Sequence, residues 1–193
     1  TTANGPSSAV TLTAGQNVNL NQSINTQDAA ISVTAAQGTV TTAANQGLFA
    51  GSGDILVESG QTLSTGITST TGALTLRSTN GSVNVNTPIN DETGAVTIAA
   101  ANDVNVNQAI SNQRGDAPLS VSAGHDIIVN AAVNGRNPGL TSPSGSVTMT
   151  AGNNVAVNES IATNNATIGL TATGGTINIA AADPQPVPGT PDP

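Results

Sequence analysis

The chain has 193 residues and a formal net charge of −8, with no lysine, only three arginines and no cysteine. Without a basic patch it cannot neutralise phosphates, so nucleic acid and anionic membrane surfaces are poor candidate partners. Thiol chemistry, disulfide bonds and thiolate metal sites are excluded by the lack of cysteine. No apolar run approaches the roughly twenty residues of a membrane-spanning helix, so we expect no membrane insertion.

The apolar content is almost entirely Ala, Val, Ile and Leu, with Phe49 as the one aromatic residue. Compact globules normally fill their centre with large side chains. This composition therefore predicts a narrow interior that small and β-branched residues can fill. Charged residues make up 7% of the chain, so the surface must consist largely of Thr, Ser, Asn, Gln and Gly.

One fifteen-residue segment recurs along the chain, as VTLTAGQNVNLNQSI at 10–24, VTIAAANDVNVNQAI at 96–110 and VTMTAGNNVAVNESI at 147–161. Its apolar residues fall at relative positions 0, 2, 8, 10 and 14. Alternation by two indicates strands, so each unit is predicted to hold two short strands and one further inward-pointing residue. A self-similar period of this kind is typical of a solenoid.

Eight units follow one another, and their starts are separated by 19 to 28 residues. Their first strands are predicted at 10–12, 31–33, 55–57, 74–76, 96–98, 119–121, 147–149 and 168–170. The scatter in spacing is assigned to loops. The second and third units are the least regular, with weak second strands predicted at 38–40 and 63–65 and an added segment around Leu48 and Phe49.

A turn of Gly, Asn or Asp follows each first strand, as at Gly15, Asn102, Gly124 and Gly152. These residue types accept positive φ and bond their own backbone, which suits a sharp corner. His125 occupies the corner position that Gln16 and Asn102 hold in other units and is predicted to be a corner residue.

The second strands carry recurrent asparagines. If the coils stack in register, equivalent amides can hydrogen-bond from one coil to the next as a structural ladder. The predicted ladder consists of Asn21, Asn86, Asn107, Asn130 and Asn158.

A helical interpretation fails because glycine and β-branched residues are frequent and apolar positions alternate by two. A β-sandwich has no need for one repeated motif. A left-handed β-helix would show a six-residue repeat, and the apolar residues at relative positions 8 and 14 do not follow one. We therefore predict an all-β, right-handed parallel β-helix of about eight coils, with roughly 22 residues per coil and a length on the order of 40 Å. Residues 1–182 form this domain, and 183–193 form a proline-rich linker or disordered tail.

Four segments resemble the haemagglutinin repeats of filamentous haemagglutinin-type adhesins: AGQNVNLNQSI, AANDVNVNQAI, AGHDIIVNAAV and AGNNVAVNESI. The resemblance covers most of residues 10–179. Such adhesins are large bacterial exoproteins exported by two-partner secretion, and the repeats form their shaft. The secretion domain that opens such proteins is not recognisable here, so the chain is expected to be an internal or distal piece of shaft.

The resemblance implies a shaft segment, secreted or at the surface of a Gram-negative bacterium, that acts in attachment, aggregation or biofilm matrix. Implied partners are a host-cell receptor, a neighbouring bacterial cell or matrix polysaccharide, and the outer-membrane transporter of the two-partner pathway. The alternative is a carbohydrate-binding or polysaccharide-cleaving β-helix.

Two loops are candidate binding sites. Arg114, Gly115 and Asp116 form a tripeptide that resembles an integrin-binding sequence. The longest insertion, 134–146, is predicted to project from its coil with Asn134, Arg136 and Asn137 available to a ligand. A third candidate is the outward face of the first strands, a hydroxyl-rich stripe that includes Thr11, Thr97 and Thr148.

Catalysis requires acids, bases or nucleophiles that are brought together, and this chain has one His, no Cys and no G-x-S-x-G elbow. Asp91 and Glu92 are the only adjacent carboxylates, in a turn where a polysaccharide-cleaving site would have to lie. The calcium-binding nonapeptide of some β-helices is absent. We expect no enzyme activity, no cofactor and no dedicated metal site.

Overall fold

The computed structural model describes residues 8–91, 93–112, 117–135, 145–163 and 165–180. Within these ranges the chain forms strands and turns, with no α-helix. Accordingly, the described part contains no helix long and apolar enough to cross a membrane.

Within the described residues, twenty-three short strands form three parallel sheets, and the strands are numbered in chain order. The first sheet has eight strands: β1 (Val10–Ala14), β4 (Ile31–Ala35), β7 (Ile55–Ser59), β10 (Leu74–Ser78), β13 (Val96–Ala100), β16 (Leu119–Ala123), β19 (Val147–Ala151) and β22 (Ile168–Ala172). The second has eight: β2 (Val18–Leu20), β5 (Val40–Thr42), β8 (Leu63–Ser64), β11 (Val83–Val85), β14 (Val104–Val106), β17 (Ile127–Val129), β20 (Val155–Val157) and β23 (Ile177–Ile179). The third has seven: β3 (Ile24–Asn25), β6 (Gly47–Gly51), β9 (Ile67–Thr70), β12 (Ile89–Asp91), β15 (Ile110–Asn112), β18 (Val133–Gly135) and β21 (Ile161–Thr163).

Each coil contributes one strand to each sheet, and strands pair in parallel with the equivalent strands of the coils before and after. The eight strands of the first sheet begin at the eight residues where the sequence places them. The described residues hold seven complete coils and two strands of an eighth. The prediction of an all-β parallel β-helix is therefore confirmed.

The sequence pattern did not predict the third sheet. The apolar residue at relative position 14 is not an isolated inward side chain but begins a strand, as Ile110 begins β15 and pairs with Ile89 of β12. The segment around Leu48 and Phe49, expected to be an addition, is the third strand of its own coil, because Leu48 pairs with Ile24. Most of these strands have two or three residues, which is too short for alternation to be recognised.

The second strand of the second coil is also shifted from its expected place. It begins at Val40, which pairs with Val18, so Gly38 and Thr39 belong to the preceding corner. The predicted strand at 38–40 is thus wrong by two residues, because a Gly–Thr pair before a valine does not reveal which residue turns inward.

The core is a single column of aliphatic side chains enclosed by the three sheets. In the fourth coil it is formed by Leu74, Leu76, Val83, Val85 and Ile89, all at most 1% exposed. Complete burial of such a side chain contributes roughly 1.5–3 kcal/mol. Five medium-sized side chains per coil fill the interior, which explains why the chain manages without large aromatic residues.

Glycine at the first corner has a different reason from the one expected. None of the first-corner glycines is among the described residues with positive φ. Instead, a Cβ on Gly124 would collide with the carbonyl oxygen of Ala101 in the coil before it, and one on Gly152 would collide with that of Gly124. Close stacking of successive coils therefore favours glycine at these two positions, although Ala101 and Thr173 hold the same corner position in other coils.

The last described coil leaves part of its apolar face open. Ile168, Ile177 and Ile179 are 42%, 45% and 63% exposed, whereas their counterparts Val147, Val155 and Val157 in the coil before are buried. Each coil thus needs a following coil to bury its core residues. The predicted tail at 183–193 lies outside the described residues.

Candidate metal centre at the first corner

The first corner of each coil contains a polar residue just before the second strand. In five of the described coils the side chain of this residue accepts the backbone N–H of the equivalent residue in the next coil, as Asn17 Oδ1 accepts from Thr39 at 2.9 Å and Asn154 Oδ1 from Thr176 at 2.9 Å. We call these residues the first-corner column; its members include Asn17, Thr39, Ser82, Asp103, Asp126, Asn154 and Thr176. These residues carry side-chain oxygens, and such acceptors link one coil to the next.

Two successive members of the column are acidic. Asp103 Oδ1 accepts the backbone N–H of Asp126 at 3.1 Å, so the two carboxylates stack one above the other. His125 precedes Asp126 in the same turn, and its Nδ1 lies 3.0 Å from Asp103 Oδ1 and 3.1 Å from Asp126 Oδ2. One imidazole nitrogen thus contacts carboxylates from two coils.

The next coil holds Asp126 in place. Asp126 Oδ1 accepts the backbone N–H of Asn154 at 2.8 Å and the side-chain amides of Asn154 and Asn153 at 3.1 and 2.9 Å. The backbone hydrogen bond from Asn154 is the main reason that the pKa of Asp126 lies below its ordinary value of 3.8. Its Oδ1 is therefore engaged by the scaffold, while Oδ2 faces His125.

The cluster is open to solvent. The side chains of His125, Asp103 and Asp126 are 60%, 36% and 23% exposed. One ligand atom from each lies within 4.8 Å of those from the other two, which is a spacing that can hold a metal ion. The two carboxylates and the imidazole can together bind a cation.

Sequence reasoning placed His125 at the corner, where the structure places it, but did not link it to the two aspartates. The signal was present in the unit spacing. Asp103 and Asp126 are 23 residues apart, as are the starts of their coils at Val96 and Leu119. Equal spacing puts both carboxylates at the same corner of consecutive coils.

Four of the five predicted ladder asparagines are joined in the structure. The Nδ2 of Asn107 donates to Asn86 Oδ1 at 3.0 Å, that of Asn130 to Asn107 at 3.0 Å, and that of Asn158 to Asn130 at 2.9 Å. Asn21 is not part of this ladder, because the equivalent position in the next coil is Ala43, which has no amide side chain. The equivalence follows from the backbone: the N–H of Ala43 donates to the carbonyl of Leu20, just as the N–H of Asn107 donates to that of Val85. These exposed amides link coils four to seven.

A second amide pair lies two residues earlier in the repeat and was not predicted. Asn105 Nδ2 donates to Asn84 Oδ1 at 2.9 Å, between half-buried side chains of β14 and β11. The pair does not continue, because Ser64 and Ile128 occupy the positions on either side.

The predicted binding loops fall largely outside the described residues. This applies to Arg114, Gly115 and Asp116, and equally to Arg136 and Asn137. Asn134 lies in strand β18, paired with Ser111 and Ala162, so the predicted loop at 134–146 begins after Gly135. Their role as ligand contacts stays a prediction.

Asp91, from the predicted acidic pair, is turned inward. It is 1% exposed, and its Oδ1 accepts the backbone N–H groups of Thr93 at 3.1 Å and Gly94 at 2.8 Å. Its partner in the pair, Glu92, lies outside the described residues. Asp91 thus caps a turn, and a buried carboxylate in this role is badly placed to reach a polysaccharide in an external groove.

The chain matches no protein-family model, no curated protein and no solved structure. The resemblance to haemagglutinin repeats therefore rests on the repeat residues themselves.

Proposed function

We propose that this chain is a structural shaft segment of a secreted or surface-exposed adhesin of a Gram-negative bacterium. Its role is to hold a binding region away from the cell, or to join cells and matrix, without enzymatic activity. The observation that carries the proposal is the uninterrupted stack: the first two sheets run through all eight coils and the third through seven. The resemblance to the shaft repeats of filamentous haemagglutinin-type adhesins supports it.

The distribution of polar interactions supports a mechanical role. Interactions of the first-corner column and of the asparagine ladder connect one coil to the next, and the backbone ladders do the same. The core is continuous from Leu20 to Val157 and is aliphatic apart from the buried Thr65 and Thr68. A body whose strand pairing repeats from coil to coil suits a spacer better than a catalyst, which needs one unique constellation.

The partners follow from this role. The distal region of the parent protein would bind a host-cell receptor, a neighbouring bacterium or matrix polysaccharide, and the two-partner transporter would export it. The shaft segment itself needs no specific ligand for this work.

Competition for attachment tests the proposal. The purified chain is added in excess to bacteria that carry the parent protein, and attachment to host cells or matrix is counted. A shaft segment leaves attachment unchanged, while antibodies raised against it label intact cells. Inhibition of attachment by the chain would identify a direct binding module instead, and absence of labelling on cells that express the parent protein would contradict the surface location.

Carbohydrate binding is a second candidate, favoured by the outward face of the first sheet. Thr11, Thr97, Ser120 and Thr148 are exposed, and they share one register row across the strands. The row is interrupted by Leu56, and the neighbouring row by the Glu58–Arg77 ion pair. The described face is therefore hydroxyl-rich in two separate stretches.

A glycan array with the purified chain tests this second candidate. Binding that is lost in a Ser120→Val, Thr148→Val double variant would assign it to the hydroxyl face. Binding lost on deletion of 136–144 would assign it to the loop. If the chain binds no glycan, the carbohydrate-binding candidate is rejected and only the shaft proposal remains.

A further inference from the structure

We propose that His125, Asp103 and Asp126 form a binding site for a divalent transition-metal ion of the Zn²⁺ class. This departs from the sequence-based expectation of no metal site and is independent of the adhesin proposal. The ligand atoms are His125 Nδ1, one oxygen of Asp103 and Asp126 Oδ2.

The ligand spacing fits such an ion. Tetrahedral bonds of about 2.1 Å place adjacent ligand atoms about 3.4 Å apart. The two separations from His125 Nδ1, 3.0 Å to Asp103 and 3.1 Å to Asp126, are slightly shorter than this value, so a small outward shift of the two carboxylates would admit the ion. The two carboxylate ligand oxygens lie within 4.8 Å of each other, and rotation of these partly exposed side chains can bring them closer.

Electrostatics favours a cation at this point. Two carboxylates from consecutive coils approach one imidazole nitrogen, and a neutral imidazole has at most one Nδ1–H to share between them. No Lys or Arg side chain is recorded in an ion pair with either aspartate in the described part of the chain, and the whole chain contains no lysine. A divalent ion would neutralise both carboxylates at once.

The scaffold orients the ligands before any ion arrives. Asn153 and Asn154 bind Asp126 Oδ1 and leave Oδ2 directed at His125. The Asp126 N–H fixes Asp103 Oδ1. Hydrogen bonds of this kind orient first ligands in metalloproteins and raise metal affinity.

The ligand set selects the class of ion. Ca²⁺ and Mg²⁺ prefer all-oxygen sites, whereas an imidazole suits Zn²⁺, Ni²⁺, Co²⁺ and Cu²⁺. Three protein ligands on an exposed corner leave the remaining positions to water. The site can therefore also accept a ligand atom from a second molecule.

Because the chain has a single histidine, its imidazole nitrogens can be followed by NMR without overlap. Titration of the ¹⁵N-labelled full chain with Zn²⁺ is expected to shift the Nδ1 resonance in a saturable manner and to leave Nε2 bearing the proton. No saturable change up to millimolar Zn²⁺, or metallation at Nε2, would overturn the proposal.

Variants measured by calorimetry with Zn²⁺ provide the second arm. Asp126→Asn and Asp103→Asn each keep a side-chain oxygen for the corner hydrogen bond, so both are expected to fold, and each should weaken Zn²⁺ binding about 10-fold or more. Glu159→Gln removes an exposed carboxylate elsewhere and should leave the affinity unchanged. Circular dichroism confirms folding of each variant. Equal affinity in the wild type and both aspartate variants would place the ion elsewhere and refute the site.

Discussion

Two threonines on one strand show how strongly a single hydroxyl depends on its surroundings. Thr68 and Thr70 lie two residues apart in β9 and are 1% and 2% exposed. Thr68 aligns with Leu48 and Ile89 in the aliphatic column, and within the described residues its Oγ1 has no hydrogen-bond partner. Thr70 Oγ1, by contrast, donates to the carbonyl of Gly53 and accepts the N–H of Gly72 at 2.9 Å.

We expect Thr68→Val to raise the free energy of unfolding by about 1 kcal/mol, because it removes an unsatisfied buried hydroxyl at constant shape. Thr70→Val is the matched control and should lower it by about 1–3 kcal/mol, because the N–H of Gly72 loses its acceptor. Urea unfolding measures both. Destabilisation of equal size in the two variants would show that the hydroxyl of Thr68 has a partner after all.

Asp126 makes stability depend on pH. Its pKa is lower in the folded chain, chiefly because of the backbone hydrogen bond from Asn154. A depressed folded pKa means that the stabilisation is fully present above the unfolded pKa and is lost as pH falls through the folded value. We therefore expect the metal-free protein to lose stability below about pH 4.

The corresponding measurement is urea unfolding in a chelator at about pH 7 and about pH 2.5. Asp126→Asn should show a smaller loss between the two values than the wild type, since it cannot be protonated. Glu159→Gln serves as the control for removal of an exposed acid. An identical pH dependence in the wild type and Asp126→Asn would contradict the assignment.

At the scale of the element, the asparagine ladder connects second strands across four coils. Asn107 donates to Asn86 and accepts from Asn130, so Asn107→Ala breaks two of these hydrogen bonds. We expect a loss of about 1 kcal/mol in unfolding free energy, since the amides are exposed and compete with water. Asn21→Ala is the matched control, because the next coil offers Ala43 at that position. Equal effects would mean that the ladder adds nothing beyond the single side chain.

The sequence predicted the first sheet well and the third sheet poorly. First strands have five residues with apolar side chains at alternate positions, as in Leu74 and Leu76, so the period of two is visible. A third strand such as β3, with Ile24 and Asn25, carries one inward residue and no period. The corner cluster was missed for another reason: it joins residues from different coils, and only alignment of the units places Asp103 beside His125.

For the whole molecule, the unit of stability is the coil. Deletion of residues 96–118 removes one coil and lets β16 pair with β10 in the original register. We expect this variant to fold into a β-helix about 4.8 Å shorter, measured by small-angle scattering and circular dichroism. Deletion of 96–106 removes two strands but leaves the third strand β15, so the register of the sheets is lost and the variant should not fold. Folding of both deletions would contradict a coil-based architecture.

The hydrogen bonds that join equivalent strands run along the axis of the stack, which has a mechanical consequence. Tension applied between the two ends of the chain acts first on the outermost winding, because its strands are hydrogen-bonded to strands of one neighbouring winding only. Extension in an optical trap should therefore proceed in successive steps, each releasing one winding of roughly 70 Å contour length, rather than as a single rupture. Such a tether would yield gradually under flow and could rewind when the pull ceases.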